Sequence, residues 1–196
     1  MTSLPLISNL LSWGQDGGSL ATVCADPSVD VVAVSFLTDF FGTGGLPVVN
    51  FGSSCSGSTF PGTDLLQCSQ IGYNLSASFA NTLLRQDIET CQNSGKIVLL
   101  SLGGAIGNYG FSSASEAQTF ATTLWNVFGG GSSSTRPFGS SVVDGFDLGT
   151  QLKLSFADFS LDIENKEPSF YSDLITALRQ LFATDSKQYY ISGAPQ

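Results

Sequence analysis

Two runs of β-branched and aliphatic residues constrain the fold more than any other feature of this 196-residue sequence. Val29 to Leu37 (VDVVAVSFL) and Ile97 to Leu102 (IVLLSL) are almost continuously apolar and present no solvated face. Such strands must be covered on both sides, as in a parallel sheet flanked by helices. Between and after them the apolar period changes from two to nearly four. Ala80, Leu83, Leu84, Ile88 and Cys91 share one helical face, and Gly95 is placed to end that helix. Ser115-Glu-Ala-Gln118 reads as a capping box opening a helix that turns Ala117, Phe120, Ala121, Leu124, Trp125 and Phe128 inward. Pro168 begins another, with Phe170, Tyr171, Leu174, Ile175, Leu178, Leu181 and Phe182 on its inner side. Shorter strands are expected at Asn9–Trp13, around Val142 and at Tyr189–Ala194, a short helix at Ser19–Cys24, and a long Gly/Ser/Pro-rich loop over 38–75. About five strands alternating with four helices make an α/β chain of βαβ units. An eight-stranded barrel needs ~250 residues, so this chain would supply all but about three of its units. From the pattern alone, an open doubly wound sheet fits equally well.

Composition narrows the chemistry. Charged residues are 12% of the chain and the net charge is −9, which disfavours nucleic acid and anionic membranes and suits a neutral substrate. No apolar run is long enough to span a bilayer, and no cofactor or metal is implied. There is no histidine, which excludes Ser-His-Asp and Cys-His arrangements and every His-containing zinc site within this chain. Acid–base work near neutral pH must then fall to carboxylates or tyrosines with altered pKa values. Cys24, Cys55, Cys68 and Cys91 contain no C-x-x-C pair and read as disulfide partners, with three connectivities open from spacing.

The acidic residues of 142–164 carry the strongest chemical signal. Val142-Val143 leads into Asp144-Gly-Phe-Asp147-Leu148, thirteen residues intervene, and Asp162-Ile163-Glu164 follows. With Gly149 to Leu161 closed up, the reading is Asp-Gly-Phe-Asp-Leu-Asp-Ile-Glu. On one strand, Asp147, Asp162 and Glu164 would then share a face. A row of neighbouring carboxylates drives their pKa values apart, leaving one protonated to serve as a general acid.

The closed motif resembles the active-site strand of family 18 glycoside hydrolases, and the wording around it resembles the plant and fungal chitinases of the class III type. The resemblance runs through Trp-Gly-Gln at 13–15, Val-Asp-Val-Val-Ala-Val-Ser-Phe-Leu at 29–37 and Leu-Ser-Leu-Gly-Gly at 100–104. It continues through Leu-Trp-Asn at 124–126, Arg-Pro-Phe-Gly at 136–139 and Ser-Gly-Ala-Pro-Gln at 192–196. It implies the N-terminal part of a single catalytic domain of (β/α)8 TIM-barrel type, here an incomplete barrel of about five strands. It implies an endo-acting chitinase cutting β-1,4-linked N-acetylglucosamine, with chitin or its oligosaccharides as partner and the chain acting as an extracellular monomer. Glu164 would be the acid and base, Asp162 would orient the substrate's acetamido group as it attacks the anomeric carbon, and Asp147 and Asp144 would match the two deeper aspartates. Gln15, Asn50, Ala105 and Ile106 fall where the family contacts sugar. The resemblance also favours the disulfides Cys24–Cys91 and Cys55–Cys68, and the Asn74-Leu75-Ser76 sequon agrees with secretion, although residues 1–11 lack a secretion signal.

Two features depart from the family. Residues 149–161 split the catalytic motif, by a genuine insertion or an in-frame retained intron, and the chain stops where a fifth strand is expected. Both favour an alternative reading: a non-catalytic chitin-binding protein or an inactive relative.

Overall fold

The computed structural model describes residues 9–14, 19–51, 56–58, 77–104, 107–148, 152–155, 160–163 and 169–193; for Thr43 and for residues 56–58, 77–83, 152–155 and 160–163 only the backbone is described. The first run of the chain forms β1 (Leu10–Trp13), α1 (Leu20–Cys24) and β2 (Val31–Asp39). A 3-10 turn at Thr43–Gly45 leads to β3 (Val48–Asn50), which pairs antiparallel with β4 (Ser56–Ser58). Then come α2 (Ala77–Asn93), β5 (Ile97–Leu102), α3 (Ala114–Val127) and β6 (Gly145–Asp147). A hairpin of β7 (Leu152–Ser155) and β8 (Ser160–Ile163) precedes α4 (Tyr171–Phe182) and β9 (Tyr190–Ser192).

Strands β1, β2, β5, β6 and β9 lie side by side in chain order, each parallel to the next. A doubly wound sheet reverses its order about the first strand; unbroken progression is the winding of a (β/α)8 barrel. The five strands and four helices expected from the sequence are therefore present as a partial barrel. The hairpin β3–β4 was not expected. It pairs with the upper end of β2, Leu37 opposite Val49 and Asp39 opposite Val48, while β1 pairs with the lower end.

Alternation along the strands sorts the residues into two faces. Val32, Val34, Val98, Leu100, Leu102 and Phe146 pack with Leu20, Ile88, Phe120, Leu124, Leu174 and Leu178 of the helices in one core. The opposite face would line the barrel interior, and its registers form rows. Ala33, Leu99, Gly145 and Tyr190 make one row; two residues further along the strands, Ser35, Ser101, Asp147 and Ser192 make the next.

Local chemistry fixes the elements. The capping box of α3 lies two residues before the expected one. Ser113, in extended conformation, accepts from the Glu116 N–H at 3.1 Å, and Glu116 accepts in return from the Ser112 N–H at 2.5 Å. Helix α4 starts at Tyr171 rather than Pro168, because Phe170 takes a left-handed conformation at its N-cap (φ 71°). The Cys24–Cys91 disulfide ties α1 to α2, whereas Cys55 and Cys68 lie outside the described residues. Asp87 of α2 accepts from Ser19 and from the first amides of α1, and its half-burial pushes its carboxyl above the usual range. After α3, the Arg136 guanidinium donates to the carbonyls of Asn126 at 2.6 Å, Gly129 at 2.8 Å, Gly131 at 3.2 Å and Gly139 at 3.0 Å.

Candidate active site

Asp147 closes β6 at its carboxyl end, the end on which barrel enzymes build their sites. It is 8% exposed and stands in the polar row between two serines of neighbouring strands. Ser101 of β5, itself 2% exposed, donates to its Oδ2 at 2.7 Å, and Ser192 of β9 donates to its Oδ1 at 2.6 Å. Each carboxylate oxygen is thus met from a different strand. The row continues to Ser35 of β2, which donates to the Ala33 carbonyl at 3.0 Å and shares a 2.7 Å hydrogen bond with Ser12 of β1.

Glycines set the close approaches that this row needs. Gly14, at the exit of β1, has a φ of 157°, and a Cβ there would run into the Ser35 carbonyl. Gly145 has a φ of 148°, and a Cβ would collide with the Tyr190 carbonyl of β9. Without that approach β9 would stand off from β6, and Ser192 would not reach Asp147.

Asp144 sits at the other end of β6. Its N–H donates to the Val98 carbonyl at 2.7 Å, and its Oδ2 accepts from the Val98 N–H at 2.8 Å. Gln92 adds a donor to Oδ2 at 3.0 Å, and Lys187 pairs with Oδ1 at 2.9 Å. Three residues of extended strand separate two carboxylates by about 10 Å, so Asp144 and Asp147 anchor opposite ends of β6.

The remaining expected residues are distributed differently. Asp162 lies on β8, in a sheet separate from β6, at the register position opposite Lys153. The interruption of the motif therefore separates Asp147 and Asp162 onto different strands. Asn50 is exposed at the end of β3, opposite Ser56 of β4. Glu164, Gln15, Ala105 and Ile106 lie outside the described residues. Just before 105–106, Gly103 and Gly104 both have a φ of 102°, and beyond it Tyr109 donates its hydroxyl to the Gly104 carbonyl at 3.0 Å.

Sequence reasoning missed Ser101 and Ser192 as site residues. Only Ser101 left a partial signal: a single hydroxyl inside the apolar run Leu-Ser-Leu has to find a polar partner in the interior, whereas Ser192 ends its strand and nothing in Ile-Ser-Gly marks it. Of the tyrosines that could replace the absent histidines, burial pushes the hydroxyls of Tyr171 and Tyr189 well above their ordinary range, with the Asp185 hydrogen bond adding to the effect at Tyr189. Neither titrates near neutral pH. Among the described residues no cluster of three metal-ligating side chains is present, and no helix is long and apolar enough to cross a membrane.

The family pattern described as glycosyl hydrolases family 18 matches residues 12–196. The chain is 44% identical over 188 residues to Chitinase 1 of Candida albicans, covering 94% of this chain and 34% of that protein. Its fold superposes on the crystal structure of a chitinase from Ipomoea carnea with a TM-score of 0.71 and 32% identity, over 95% of this chain and 57% of that one. A xylanase and alpha-amylase inhibitor protein from Scadoxus multiflorus gives a TM-score of 0.67 at 27% identity, over 97% of this chain and 57% of that one. The chain spans about a third of the length of the first curated relatives it matches.

Proposed function

Because the chain belongs to glycosyl hydrolases family 18, we propose that its residues build the first four βα units and the fifth strand of a chitinase catalytic domain, with 149–161 as an insertion in the catalytic motif. The substrate is chitin or its oligosaccharides. Glu164 protonates the glycosidic oxygen and later takes a proton from water, while the substrate's own acetamido oxygen attacks the anomeric carbon and retains configuration. Asp162 orients that acetamido group. Asp147 forms the base of the acidic row, and Asp144 holds the strand that carries it. Gln15, Asn50 and the backbone at Ala105 and Ile106 contact sugar. The observation that carries this reading is the position of Asp147: at the carboxyl end of a barrel strand, on the interior face, gripped by serines from both neighbouring strands.

The Cys24–Cys91 bond supports passage through an oxidising compartment, hence an extracellular protein. A second reading, binding without turnover, is favoured by one specific observation: Asp162 stands on a hairpin strand and not on β6. Glu164→Gln separates the two. A hydrolase loses turnover of a fluorogenic chitotrioside while keeping its affinity for chitin oligosaccharides. Unaltered turnover in the variant would remove Glu164 from the acid–base role, and wild-type binding without turnover would establish the second reading.

A further inference from the structure

We infer that Ser192 is a positioning residue for the reaction, fixing the orientation of the Asp147 carboxylate from the far side of β6. This rests on the hydrolase reading above. Its Oγ donates to Asp147 Oδ1 at 2.6 Å, and the opposite oxygen, Oδ2, is already taken by Ser101 at 2.7 Å. One donor would leave a carboxylate free to swing about its side-chain torsions. Two donors on opposite sides, each on a strand in register with it, define the plane in which the group lies.

The backbone secures the second donor as firmly as the first. Strand β9 brackets β6 at both ends: the Tyr190 N–H donates to the Asp144 carbonyl at 2.8 Å, and the Leu148 N–H donates to the Ser192 carbonyl at 2.9 Å. Between these bonds, Gly145 allows the two backbones to close up. That approach delivers a hydroxyl to the one carboxylate of the row. Orientation matters here because misplacing a reacting constellation by ~1 Å lowers rates by ~100-fold.

Three proteins decide it: Ser192→Ala, Ser192→Thr and Glu164→Gln, each beside wild type. With a fluorogenic chitotrioside, Ser192→Ala is expected to lower kcat by about 10-fold or more with KM within about twofold. Ser192→Thr, which keeps the hydroxyl, should return kcat to within about threefold of wild type. A purely structural loss would lower the melting temperature and leave kcat of the folded fraction unchanged, which overturns the inference. Crystal structures of the two serine variants read orientation without any turnover. The Asp147 carboxylate should rotate out of the row in the alanine protein and remain in it in the threonine protein. An unrotated carboxylate in Ser192→Ala overturns the inference even if the enzyme is active. Wild-type protein that binds chitin oligosaccharides without turning them over overturns the hydrolase reading instead, and with it the catalytic consequence claimed for Ser192; turnover that survives Glu164→Gln removes only Glu164 from the acid–base role.

Discussion

Replacing Asp144 by alanine tests whether this acid serves the sheet. Three partners would lose their acceptor: the Val98 N–H, the Gln92 amide and the Lys187 ammonium. The amide of Val98 is the costly one. It is a main-chain donor at the entry of a buried strand, and a hydrogen bond to a charged acceptor contributes about 1.5–3 kcal/mol. Gln92 and Lys187 both retain the Val142 carbonyl, at 2.8 and 2.9 Å, so neither is left without a partner. The ion pair, with side chains 13% and 34% exposed, is screened and adds about 0.5–1 kcal/mol. The total is about 2–4 kcal/mol, or a melting-temperature loss of about 5–15 °C for a domain of this size. Asp144→Asn keeps an oxygen for Val98 and should lose only about 1 kcal/mol. Thermal denaturation followed by circular dichroism, with Lys187→Met completing a double-mutant cycle, gives each contribution separately. Alanine within 1–2 °C of wild type (a loss under ~1 kcal/mol) would refute the assignment. So would an asparagine protein of normal stability whose chitin turnover has vanished, since that would place Asp144 in the reaction.

Two further outcomes follow from described features. Changing Cys24 and Cys91 to serine opens a loop closed across 67 residues, which by chain entropy costs about 4 kcal/mol and should lower the melting temperature by about 10 °C; a loss below about 2 °C would show that the bond constrains little. Deleting 149–161 puts Asp162 two residues after Asp147, about 7 Å further along the same face of one strand, and should raise Glu164-dependent turnover by about 100-fold; unchanged turnover would mean that the insertion does not separate the acids.

Much of the scaffold could be read directly. Buried parallel strands declare themselves by unbroken apolar runs, and Ile97–Leu102 was placed to the residue. The helix faces of α3 and α4 followed from period alone, because burial on one side is what makes those helices stable. The helix starts were less legible. Ser113 and Ser115 are both good caps, and what decides between them is Glu116, which lies three residues after Ser113. The hairpin β7–β8 has a weak period-two pattern in Leu-Lys-Leu-Ser and Ser-Leu-Asp-Ile, masked by its position within a motif that invited closing up. The site divided along similar lines. Asp147 stood out because a carboxylate in an apolar run is costly unless engaged. Ser101 and Ser192 did not, because a serine is inexpensive almost anywhere. Their role depends on register between strands 45 or more residues apart in sequence, which no local pattern contains.

The Arg136 guanidinium has an evolutionary consequence. The segment that it gathers, Gly129 to Ser134, has the composition of a flexible linker, yet one cation collects carbonyls before, within and after it, much as a bound calcium ion organises a loop. Tolerance to substitution should therefore be graded along a stretch that looks uniform. A side chain at Gly129 or Gly131 would strike Trp125, and one at Gly130 would strike Trp125, Asp185 and the Tyr189 hydroxyl. Ser132 and Ser134 are exposed and open to drift. Across descendants of this sequence, the three glycines and the arginine should be inherited as a unit while the serines wander.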